Sequence, residues 1–113
     1  MKRTGISAIS IAALLAAAPM SAALGADEKI NYQDHALPIF RNSCLGCHNP
    51  DKKKAGLDLS TYSAALAGSD NGPVINAGDP GGSKLYKAVT HAEDPTMPPK
   101  KDKLPDQELE VLR

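Results

Sequence analysis

Leu37, Phe40, Cys44 and Cys47 recur at steps of three, four and three along the chain. That spacing follows one face of a 3.6-residue helix. It predicts a helix over residues 34–43 that carries both thiols on its apolar side, with Asp34 as cap and Pro38 near the first turn, where proline is best tolerated. The polar run 49–56 reads as a loop. Ser60 is placed to cap a short helix over 61–67, which Gly68 stops. Five glycines and two prolines punctuate 68–82, which predicts turns. Asp79 and Pro80 are placed to open a helix running through 83–90, with Leu85, Tyr86 and Val89 facing inward. A last helix is expected over 104–113, with Pro105 in its first turn, Asp106 and Glu108 near its positive end, and Leu109 and Leu112 on one face. No alternating run is long enough for a strand, and there is no internal repeat. The pattern is all-α.

The first residues stand outside this pattern. Met1, Lys2 and Arg3 give a basic start, residues 6–18 are uncharged and apolar, and 19–26 hold a proline and then small residues. This is the plan of a secretory signal peptide, with cleavage expected after Ala26 or Ala23. The apolar run is short against the roughly 20 residues that cross a bilayer, so the mature chain is expected to have no transmembrane span. Residues 27–113 then form one domain, in the periplasm or secreted. Without 1–26, eleven Lys and Arg face thirteen Asp and Glu, a formal charge of −2. Nothing there argues for nucleic acid, and the lysines at 52–54 and 100–103 read first as solvated loops. Phe40, Tyr32, Tyr62 and Tyr86 are the only aromatics and there is no tryptophan. A chain of this size buries only about 60% of its unfolded surface, so its own core should be marginal and something else is expected to fill the middle.

Export also bears on Cys44 and Cys47, the chain's only cysteines. A disulfide between them would close a loop too small to constrain the unfolded chain much. A thioredoxin-like dithiol expects a βαβ pattern, which is not seen. Zinc needs two further ligands at finger spacing, and His35 and His91 are far from it. The remaining reading is covalent haem, because Cys44-Leu45-Gly46-Cys47-His48 has the C-x-x-C-H form of c-type attachment. Two thiols at this spacing add across the two vinyl groups of haem, and the next residue, His48, is carried under the ring as the proximal iron ligand. For the sixth iron position Met97 is the leading candidate. It is the one methionine after residue 26, and prolines at 95, 98 and 99 stiffen its segment and keep it from being helical. His91 is the rival ligand and His35 a distant third.

Several segments together resemble the planctomycete-type cytochrome c domain, a branch of the class I cytochrome c fold: "HALPIFRNSCLGCHNP", "AGLDLSTYSAALAG", "VINAGDPGGSKLYKAV", "MPP" and "LPDQELEVLR". The likeness spans about residues 32–113. It implies about four short helices and long loops around one covalent haem c, with Cys44 and Cys47 as thioether anchors, His48 as proximal ligand and Met97 as distal ligand. In such sequences the last helix usually continues further, so this chain is expected to be a fragment or the front of a longer protein. Pro105 replaces the Ser-like cap often found there.

The function expected is one-electron, outer-sphere transfer, since iron bound on both sides leaves no position for a substrate. The chain is thus read as a carrier more than an enzyme, serving a redox protein partner or a fused downstream domain, with its oligomeric state open. Two other readings remain: a peroxidase-like or sensor haem site with a labile Met97, and a non-haem C-x-x-C redox or metal-binding module.

Overall fold

The computed structural model describes residues 28–113. The expected signal peptide therefore lies outside the described residues. Among those residues there are four α-helices: α1 (Leu37–Ser43), α2 (Tyr62–Ala67), α3 (Lys84–Val89) and α4 (Asp106–Leu112). The described residues form no strand beyond an isolated bridge between Ser69 and Gly72. The all-α expectation holds.

Local chemistry moves several boundaries. Asn31, not Asp34, opens the first helical segment: its Oδ1 accepts the Asp34 N–H at 2.8 Å. Tyr32–Ala36 then form a wide π-type turn, in which the Leu37 N–H reaches back to Tyr32 O. The cause is Pro38, which donates no hydrogen bond and whose ring crowds the carbonyl four residues before it. A wider turn relieves that crowding before α1 begins.

The cap of α2 is Thr61 and not Ser60, with Thr61 Oγ1 accepting the Ala64 N–H at 3.1 Å. Ser60 instead belongs to a turn whose Asp58 carboxylate accepts its N–H at 2.9 Å. Gly68 does stop α2, at φ 82°. Asp79 caps only a 3₁₀ turn, Pro80–Gly82, by accepting the Gly82 N–H at 2.9 Å. The chain restarts as α3 after Ser83, which is buried. The Ser83 hydroxyl lies 3.1 Å from Asn76 O and 2.8 Å from Asp79 O and accepts the Asn76 N–H at 2.8 Å, so it is spent on the loop and cannot cap α3.

Two apolar clusters hold these pieces. One joins Ile39 of α1, Val89 of α3 and Leu109 of α4 with Leu104, and Met97 packs against it. The other joins Phe40, Leu59 and Ala65, with Tyr32 and Leu57 against it. Tyr32 sits tilted between Phe40 and Tyr62, with ring centroids 5.9 and 5.7 Å away, and donates its hydroxyl hydrogen to Leu59 O. Leu112 touches both clusters. Ile39 and Phe40 are adjacent on α1, so this one helix feeds both clusters and stands between them. The space left beside it is the site.

Candidate functional site

That space is a cavity of about 630 Å³. It falls within the range of small-molecule and cofactor sites, about 300–1,000 Å³. Phe40, Leu59, Val74 and Val89 give it apolar walls, and Cys44, Cys47, His48 and Met97 all line it. The four residues singled out in the sequence thus meet in one place, although almost fifty positions separate His48 from Met97.

The two thiols arrive differently from the helical expectation. α1 ends at Ser43, and Cys44 is its C-cap at φ −129°, with its N–H still bonded to Phe40 O at 2.8 Å. Cys47 lies beyond the helix, in a turn where the N–H groups of Cys47 and His48 both reach Cys44 O, at 3.2 and 3.0 Å. The three-residue spacing still sets both thiols on the cavity wall, now through a turn instead of a helix face. Both cysteines are free and half-buried. Burial, helped by the nearby Glu108 carboxylate, pushes the Cys44 thiol up to about 11, so it stays protonated near neutral pH.

His48 is buried, at 9% exposure. Its Nδ1–H donates to the Lys54 carbonyl at 3.1 Å. A carbonyl only accepts, so this contact fixes the tautomer and leaves the Nε2 lone pair available to a metal. The loop that provides the carbonyl is held in turn: Lys54 N–H donates to Cys47 O at 3.0 Å, and Leu59 N–H to His48 O at 3.0 Å. A hydrogen bond from the second ring nitrogen to a carbonyl is the usual support of a metal-bound imidazole.

Met97 is half-buried, and its N–H donates to Ala88 O at 3.0 Å, which ties its loop to α3. The segment around it is bent and non-helical, as the prolines require. The two other histidines are engaged elsewhere. His91 does not line the cavity, and its Nε2–H donates to Met97 O at 3.1 Å. His35 Nδ1 accepts the Asn31 N–H at 3.1 Å, and His35 too is absent from the cavity wall. Sequence reading had no signal for the His91 contact, because it depends on how α3 ends.

The alternative chemistries lack parts among the described residues. No group of three or more His, Cys, Asp or Glu there is arranged to hold a metal ion. No strand supports a thioredoxin-like dithiol. No described helix is long and apolar enough to cross a membrane. By contrast the donor set fits haem: two uncommitted thiols, a tautomer-fixed imidazole and a thioether, around an apolar space. Gly46, between the thiols, also lines the cavity, and a Cβ there would meet nothing within 4 Å.

Comparison with curated proteins found no match, and comparison with solved structures found none. A family model described as Planctomycete cytochrome C matches residues 44–101, from the first thiol to just past the Met97 loop. With a helical fold and that match over half of its length, the chain belongs to the Planctomycete cytochrome C family, and its general role is to bind haem and take part in electron transfer.

Proposed function

We propose that the chain carries a single haem c, bound through thioethers at Cys44 and Cys47, with His48 as proximal and Met97 as distal iron ligand, and that it passes one electron at a time outside the cytoplasm. The observation that carries this reading is the convergence of those four side chains on one apolar cavity while His35 and His91 are bonded elsewhere. When bound, the haem supplies the redox couple itself. The chain's own residues do the rest. The Lys54 carbonyl holds His48 in the tautomer whose free nitrogen faces no competing proton. Phe40, Leu59, Val74 and Val89 give the bound group an apolar surround, and such a surround with thioether ligation favours the reduced state. Ligation on both sides suits transfer without a bound substrate, to a redox protein partner or a fused domain. Lys54, Lys84 and Lys101 stand at the cavity wall beside Glu93 and Asp94, a mixed rim with no single sign.

The test is spectroscopic. Protein matured in a host that attaches haem should give a pyridine haemochrome of the thioether type and a far-red sulfur-to-iron charge-transfer band. Met97→Ala should lose that band and admit CO rapidly. A Met97→Ala protein with an unchanged spectrum would remove Met97 from the iron, and a colourless wild-type product would remove the haem.

A further inference from the structure

α3 ends in a Schellman motif whose left-handed position is occupied by a histidine. His91 N–H donates to Ala88 O at 3.2 Å and Ala92 N–H to Lys87 O at 2.9 Å, the paired bonds of that motif. The residue at φ 59° between them is His91. Glycine takes this place in most such motifs because a side chain is strained there. Such a conformation at a non-glycine residue persists only where the surrounding contacts hold it. Here the imidazole turns to the Met97 loop and donates to Met97 O at 3.1 Å. Met97 N–H is already bonded to Ala88 O at 3.0 Å. One residue's N–H and C=O are thus both fixed to the end of α3, and the second bond exists only because residue 91 has a ring N–H of that reach.

We infer that His91 is a positioning residue for the sixth ligand: its Nε2–H clamps the Met97 carbonyl and so holds the thioether at the cavity, without itself touching the bound group. The inference rests on Met97 being the distal ligand. It assigns His91 a role other than the rival ligation that its sequence position suggests, and it explains why a strained backbone is tolerated at the end of α3.

Glycine at position 91 separates the clamp from the cap, because it relieves the backbone and removes the donor in one change. The haem-loaded wild type, H91G, H91Q and M97A are compared by the sulfur-to-iron band, the rate of CO association with the ferrous protein, and the thermal midpoint. H91G should melt at or above the wild-type temperature, yet bind CO about fivefold faster with a weakened band, as expected for loss of one hydrogen bond holding the loop. H91Q, whose amide N–H has similar reach, should return the CO rate toward that of wild type. A wild-type band and CO rate in H91G would overturn the inference while M97A still shows the ligand. If M97A is itself spectroscopically silent, the ligand reading fails and the inference falls with it.

Discussion

A chain prevented from acquiring haem should be unable to keep this structure, and the cavity sets the scale. Residual cavities destabilise folded proteins by about 24 cal/mol per Å³, so an unfilled space of about 630 Å³ carries a penalty of at most about 15 kcal/mol. The mouth admits water, so the true figure is smaller. Even a third of it would consume the stability of a marginal domain, since whole domains are stable by about 5–15 kcal/mol. The perturbation is to produce residues 27–113 without haem attachment and with the cysteines reduced. Two measurements then report on the state of the chain. Heating followed by far-UV circular dichroism should show weak helicity and no cooperative transition, against a cooperative melt for the haem-loaded protein. Alkylation at pH 8 reads the site itself. In the folded arrangement the Cys44 thiol, raised from 9.0 to about 11, would react up to about a hundredfold more slowly than an ordinary thiol, because the thiolate is the nucleophile. In an unfolded chain Cys44 and Cys47 should react at like rates. A haem-free chain that melts cooperatively and protects Cys44 selectively would refute the claim that the bound group completes the core.

Three substitutions test the local structure in the haem-loaded protein. Gly68→Ala places a Cβ 2.5 Å from Gly72 O and 2.8 Å from Pro73 Cα, at φ 82° and ψ −157°, a region essentially reserved for glycine; denaturant titration should show a loss of about 2–3 kcal/mol. Thr61→Ala removes the side-chain cap of α2 and should cost about 1 kcal/mol by the same titration, while Ser60→Ala should cost less; the reverse order would return the cap to Ser60.

The legible part of this molecule was the part written in short-range chemistry. Cys44, Cys47 and His48 form one local motif, Met97 stands out in the sequence as a lone thioether among prolines, and all four line one cavity. Helix identities were legible too, since Leu37 and Phe40, Val89 and Leu109 all lie inward as their spacing required. What sequence pattern misjudged was competition between neighbouring polar groups. Ser83 looks like any residue inside a helix, yet its hydroxyl is claimed by a loop seven residues earlier. Asn31 and Asp34, or Ser60 and Thr61, offer equal capping chemistry, and only backbone geometry decides between them. His91 shows the same limit: its partner is a backbone carbonyl six residues on, and periodicity carries no information about carbonyls.

Backbone strain falls into the same two places as the chemistry. Four non-glycine residues have positive φ among the described residues: Lys53 at 33°, Ala55 at 57°, His91 at 59° and Lys100 at 56°. Lys53 and Ala55 flank Lys54, whose carbonyl holds His48. His91 and Lys100 enclose the Met97 loop. Each such residue costs roughly 1–3 kcal/mol and persists only where its surroundings over-determine it. Helices α1 and α3 and the two apolar clusters frame the cavity, and these loops bring His48 and Met97 to its wall. This division explains why so short a chain needs so little regular structure. Its helices frame a cavity they do not fill, and its irregular segments decide what the cavity presents.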